Sequence, residues 1–253
     1  MEISIIQYLI VCPLVFLAGF VDAVAGGGGL ISLPAYMFAG LPVHTAIATY
    51  KMSSAMGTTV STIHFFRQGY IKWKICIPSI LAAMIGSWTG AHISMGLDEN
   101  ILKAIILVLL PFIAFYVMKK KKLASENSGQ IYTGKTILLC SVVSLIVGIY
   151  DGLYGPGTGT FLLLLFTGLC RLNLQDAAGT TKVINLTTNL SALAVFLVNG
   201  KVLLPLGIAA GLCNMAGNYL GSHRFSKDGV RIVRPVILVV LVIFFVKTVW
   251  ELL

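Results

Sequence analysis

The fold is decided by two glycine-rich stretches, residues 19–29 (GFVDAVAGGGG) and residues 148–159 (GIYDGLYGPGTG). Each follows a long apolar segment and precedes a short one, at 30–41 and 159–170. At about 1.5 Å per residue, such a short helix covers under about 20 Å, whereas a hydrocarbon core is about 30 Å thick. The two stretches therefore predict helices that are broken inside a membrane.

The composition of the 253-residue chain predicts a polytopic, all-α membrane protein. Hydrophobic residues make up 57% of it and charged residues 11%, whereas soluble proteins average about 25% charged. The mean hydropathy is +0.93. Such a chain has too few charges to cover a water-facing surface, which argues against a soluble enzyme or a secreted scaffold. Eight longer segments are candidate spans, at roughly 4–24, 44–66, 75–96, 101–118, 134–150, 176–198, 202–222 and 235–252.

Cofactors, metals and nucleic acids are not expected as partners. The five cysteines lie in or beside apolar segments and show no metal-binding spacing. The net charge of +9 comes from short basic runs between apolar segments, as is typical of cytoplasmic loops. Neither HExxH nor GxSxG is present, so the sequence gives no support to an enzyme.

The two halves of the chain repeat each other. Residues 19–26 match 148–155 at an offset of 129, and Lys51 falls on Lys182 at an offset of 131. At the same offset, GSWTGAH at 86–92 falls on GNYLGSH at 217–223, whose glycine spacings favour close helix packing. We therefore divide the chain into a first repeat, a cytoplasmic linker and a second repeat, at 1–118, 119–133 and 134–253.

Loop charge favours an inverted repeat over a parallel one. If only the eight longer segments cross, the bases outside the spans divide nine against six between the two faces. If each half crosses an odd number of times, thirteen share one face and only Lys103 and Lys201 lie opposite. Because cytoplasmic loops hold an excess of lysine and arginine, the second arrangement is preferred, with both termini outside. Whether the breaks form re-entrant hairpins or crossing helices stays open.

Four charged residues lie inside apolar segments and form two repeat-related sets: Asp22 with Lys51, and Asp151 with Lys182. Intramembrane charges are costly and usually mark a transport pathway or an ion pair. Helices that begin inside a membrane direct free N–H groups into a cavity and favour anions. The sequence therefore predicts a site for a small anionic substrate, with these candidate binding residues: Lys51, Ser54, Thr58, Lys182, Asn185, Asn189, Gly28, Gly29, Thr158 and Gly159.

Other roles for the four charges remain open. Asp22 could pair with Lys51, and Asp151 with Lys182, only to hold the breaks in shape. Alternatively, the aspartates carry a proton and couple transport to the proton gradient. Lys51 is close enough to the start of its helix to snorkel to the interface.

The segments at 19–42, 45–59 and 65–74 resemble the first signature of the TauE/SafE sulfite exporter family. The segments at 148–169 and 176–202 resemble the second signature, so the resemblance covers nearly the whole chain. One departure is that many members read Thr-Asn-Lys where this chain reads Thr49-Tyr50-Lys51. An amide is thus absent from one half of the predicted site, and we expect the two halves to differ in function.

The resemblance implies a permease of the bacterial inner membrane that moves sulfite or organosulfonates such as sulfoacetate. Many members have no assigned substrate. Together with the breaks and the repeat, it favours a secondary transporter that works by alternating access. The alternative is an anion channel built on the same broken helices. The coupling ion, the direction of transport and assembly as a homodimer stay open.

Overall fold

In the computed structural model, residues 4–102, 104 and 132–224 are described, and within them the chain forms eight labelled helices. A further helical segment begins at Glu99. Most of the predicted span at 101–118, all of the span at 235–252 and nearly all of the linker at 119–133 lie outside the described residues. The helices are α1 (Ile5–Ala25), α2 (Gly29–Phe38), α3 (Val43–Arg67), α4 (Trp73–Gly96), α5 (Gly134–Leu153), α6 (Thr158–Gly168), α7 (Leu174–Val198) and α8 (Leu204–Ser222).

Local chemistry places several helix ends. Ser4 and Gln7 form a capping box at the start of α1, Thr133 caps α5, and Asn173 caps α7. The breaks lie where the sequence predicts them. Gly26 ends α1 with a φ of 76°, and Gly157 precedes α6 with a φ of 86°.

Four of the described helices, α1, α4, α5 and α7, are long and apolar enough to cross a membrane. The protein exposes apolar side chains and buries polar ones, which is the reverse of a soluble fold. Leu9, Leu81, Ile146 and Leu212 are all more than half exposed, whereas α3 and α7 bury lysine, serine, threonine and asparagine. The protein is therefore a multi-pass membrane protein, as the composition predicts.

Helices of opposite halves pack closely at small residues. Gly86 and Gly90 of α4 face the backbone of Leu145 and Ile149 of α5, so these two helices run parallel. Gly217 and Gly221 of α8 similarly face the α1 backbone, at Phe16 and Phe20. The packing role predicted for these glycines is confirmed.

The equivalent helices α3 and α7 run in opposite directions. The Thr62 hydroxyl donates to the carbonyl of Lys182 at 3.3 Å, whereas Tyr70, just past α3, lies against Gly179. A later residue of the α3 segment therefore lies beside an earlier residue of α7, so the two helices are antiparallel.

The first short helix, α2, turns back beside α1. Gln7, in the first turn of α1, donates through Nε2 to the carbonyl oxygen of Ala39 at the end of α2, at 2.9 Å. The polypeptide thus returns after the break towards the side on which α1 begins, which favours the hairpin form of the first break over a crossing helix.

One end of the protein, which we call the basic face, joins loops from both halves. Tyr132 donates to Asp176 at 2.6 Å, Lys72 pairs with the same carboxylate at 3.6 Å, and His64 stacks near His223. Burial, and then the hydrogen bond to Asp176, raise the pKa of Tyr132. The described bases at this end are Arg67, Lys72, Lys74, Lys135, Arg171 and Arg224. Lys201 lies at the opposite end, where His44 contacts Ser94 and Glu99.

Candidate functional site

The two breaks meet at the centre of the protein. The Thr160 amide donates to the carbonyl oxygen of Gly26 at 3.0 Å, which joins the end of α1 to the start of α6. A Cβ atom on either Gly26 or Gly159 would collide with the backbone of the other. Glycine is required here because two backbones touch.

The four intramembrane charges form two ion pairs, and both pairs join opposite halves. Lys51 Nζ of α3 lies 2.7 Å from Asp151 Oδ2 at the end of α5. Lys182 Nζ of α7 lies 2.9 Å from Asp22 Oδ2 near the end of α1, and it also donates to the Asp22 carbonyl oxygen. The pairing within each half is therefore wrong, because each lysine reaches the break of the other half.

Snorkelling of Lys51 is also wrong. Its side chain and that of Asp151 are both 0% exposed. Lys51 and Lys182 each lie eight residues into their helix, from Val43 and Leu174, or about 12 Å deep. Because α3 and α7 run in opposite directions, the two lysines approach the breaks from opposite faces. Each charge is neutralised by its partner, which lowers the cost of burial.

The second break has further polar contacts around Asp151. Thr158, the first residue of α6, donates from Oγ1 to Asp151 Oδ1 at 2.6 Å. Gly29 lies against the Tyr50 hydroxyl and Pro156, whereas Gly28 lies against Ala18 and the Asp22 side chain. The predicted site residues at both breaks therefore contact the ion pairs or the residues beside them.

The predicted polar side chains that follow each lysine along its helix are only partly hydrogen-bonded. Asn185 and Asn189 are buried one and two turns past Lys182, and Asn189 donates to Asn185 at 3.3 Å. Within the described residues, Asn189 Oδ1 has no hydrogen-bond partner. Thr58 is buried and Ser54 half-buried on α3.

Sequence reasoning missed two groups near the pairs. The Tyr154 hydroxyl, fully buried beside the second break, has no hydrogen-bond partner in the part of the chain that the structure describes. Thr181 precedes Lys182 as Tyr50 precedes Lys51, and the offset of 131 could have drawn attention to it. Burial and the lack of a partner, which distinguish these groups, are visible only in three dimensions.

Comparison with known proteins identifies the family of this chain. The profile of the family described as Sulfite exporter TauE/SafE matches residues 11–248. The chain belongs to this family. Members of the TauE/SafE family are membrane transporters, so the family assignment agrees with the multi-pass fold.

Curated relatives share most of their length with this TauE/SafE chain. The probable membrane transporter protein ORF9 of Sinorhizobium sp is 34% identical over 89% of this chain and 85% of its own. The probable membrane transporter protein YfcA of Escherichia coli K12 is 32% identical over 93% and 87%. A probable membrane transporter protein of Haemophilus influenzae is 31% identical over 99% and 98%. No solved structure matches the chain.

Proposed function

We propose that the protein is a secondary transporter for small anions, with sulfite and short organosulfonates as first candidates, and that it works by alternating access. The observation that carries this proposal is that each Lys–Asp pair joins a lysine of one half to an aspartate of the other. Each half supplies one lysine and one aspartate, so a movement of one half against the other changes both pairs together. Transporters built from two related halves move in this way.

The chemistry of the pairs suits an anion that binds together with a proton. A lysine held by a carboxylate has no free charge to offer to a substrate. A proton on Asp22 removes its negative charge and frees the Lys182 ammonium group for the incoming anion. The N-termini of α2 and α6, which begin at the breaks, add favourable dipoles. The lysine thus exchanges its carboxylate partner for the anion when the aspartate takes up a proton, and transport is therefore coupled to protons.

The halves are inverted relative to one another in this proposal. The opposite directions of α3 and α7, and the gathering of bases at one end, support that arrangement. The basic face is the cytoplasmic face of a bacterial inner membrane, because loops rich in lysine and arginine are retained there. The N-terminal residues then lie outside.

Flux through the purified protein in proteoliposomes tests the transporter proposal. We expect uptake of radiolabelled sulfite or sulfate that saturates with concentration, shows counterflow, and is accelerated by a pH gradient. A channel would instead give currents that follow the membrane potential and show no counterflow. Asp22→Asn should abolish the acceleration by pH. Flux without saturation or counterflow would contradict alternating access.

A further inference from the structure

The two Lys–Asp pairs differ in their surroundings although the repeat relates them. Lys51 and Asp151 are completely enclosed, with side chains 0% exposed. Lys182 and Asp22 retain 4% and 12% exposure. Equivalent positions in the two halves are therefore not equally accessible in this conformation.

Aromatic side chains enclose the Lys51 pair. Lys51 Nζ lies 5.3 Å from the centre of the Tyr50 ring, and a Cβ atom on Gly155 would collide with Lys51 Nζ and crowd the Tyr50 ring. Tyr150 and Tyr154, whose rings lie 6.0 Å apart, flank Asp151 along the chain. These residues leave little room for a ligand, and Thr158 already occupies one oxygen of Asp151.

Small residues replace those tyrosines around the Lys182 pair. At the repeat offsets, Tyr50 corresponds to Thr181 and Tyr150 to Val21. A cavity of about 10 Å³, roughly the room that one water molecule needs, lies beside Lys182, and its lining includes Thr181, Gly26, Gly159 and Phe65. Space is thus present at the pair whose neighbours are small.

A buried polar atom in this lining lacks a partner. Thr181 is 3% exposed, and its Oγ1 has no hydrogen bond within the described ranges 4–102 and 132–224. An unsatisfied buried hydroxyl costs about 1–3 kcal/mol. The Tyr154 hydroxyl beside the other pair is also unsatisfied, but Tyr154 does not line this cavity, so the combination of hydroxyl and cavity at Thr181 points to a ligand there. Lys182 lines the same cavity and supplies the charge.

We infer that the small anion binds at the Lys182–Asp22 pair, with Thr181 as its hydrogen-bond donor, and that the Lys51–Asp151 pair is structural. This inference rests on the proposed function and assigns its substrate to one of the two repeat-related positions. The ligand is a compact oxyanion, because its charge is met by one ammonium and one hydroxyl, and the cavity widens when the anion enters.

Binding to matched variants tests the assignment. Single lysine variants would leave a buried carboxylate unpaired and could unfold, so each pair is neutralised together, as Lys182→Met/Asp22→Asn and as Lys51→Met/Asp151→Asn. Calorimetry in detergent with sulfite (under nitrogen), sulfate and methanesulfonate should show at least a hundredfold loss of affinity for the first variant. The second should stay within about threefold of the unaltered protein. Monodispersity on size exclusion checks folding.

A milder pair of variants isolates the hydroxyl. Thr181→Val should weaken binding about tenfold or more, because a hydrogen bond to a charged group is lost. Tyr50→Phe, its repeat mate, should leave affinity within about threefold. Equal losses for both pairs, or a loss confined to the Lys51 pair, would overturn the assignment but leave anion transport standing. Failure of the unaltered protein to bind any of the three anions would overturn the proposed function itself.

Cysteine labelling tests the cavity without any substrate. In a background without the five native cysteines, Thr181→Cys should react with methyl methanethiosulfonate. Thr180→Cys, its fully buried neighbour outside the cavity lining, should not. Equal reaction rates at both positions, or no reaction at position 181, would contradict an accessible site at Lys182.

Discussion

Lys51 of the first half lies 2.7 Å from Asp151 of the second, and both side chains are fully buried. The same exchange joins Lys182 to Asp22. Each half therefore neutralises a charge that the other half buries. This relationship makes the interface between the halves, and not either half alone, the place where the intramembrane charges become tolerable.

The pairing of each lysine with an aspartate of the other half predicts which second substitution rescues a lysine variant. Lys51→Met should lower the free energy of unfolding by about 3–5 kcal/mol, because Asp151 is left charged and unpaired. Adding Asp151→Asn should restore most of the loss, whereas adding Asp22→Asn should not. Thermal unfolding in detergent measures all three variants. Rescue by Asp22→Asn would show that the lysine pairs within its own half.

The contact between the breaks predicts a strong effect of one methyl group. Gly159→Ala places a Cβ atom against the Gly26 backbone, so the start of α6 must move and the variant should lose stability or fail to fold. Gly168→Ala, at the end of the same helix, has open space around it and should be neutral or slightly stabilising. Expression yield and melting temperature compare the two. Equal behaviour would mean that the breaks do not touch.

The breaks and buried charges could be predicted from the sequence because each depends on local signals. Glycine runs interrupt apolar helices wherever they occur, and Asp22 or Lys182 inside an apolar segment is recognisable without a fold. The partners could not be predicted. Two lysines and two aspartates allow two pairings, and the repeat offset relates the halves without saying how they pack. The difference between Tyr50 and Thr181 is visible in the sequence, but the cavity beside Thr181 depends on α6 and α3 as well.

The contact between Tyr132 and Asp176 predicts a stabilising bond at the basic face. Tyr132→Phe should cost about 1.5–3 kcal/mol, because a hydroxyl bound to a carboxylate is lost. The pKa of Tyr132 is raised above the usual tyrosine value of about 10, so this contribution is fully present below about pH 10 and is lost as the pH rises further. Unfolding at pH 7 and pH 9 should show the same difference from the unaltered protein. Tyr219→Phe, at an exposed position, is the control, and an equal effect there would contradict a specific bond.

The charge distribution predicts which loops face the cytoplasm. Gln68 lies at the basic face, between α3 and α4, and Lys201 lies at the opposite end, between α7 and α8. In a background without native cysteines, a membrane-impermeant maleimide added to intact cells should label Lys201→Cys and spare Gln68→Cys. Both should react once the membrane is opened, which checks that each thiol is accessible. The excess of bases retains the first loop inside because translocating it against the membrane potential is unfavourable. Labelling of Gln68→Cys in intact cells would place the basic face outside and contradict the proposed orientation.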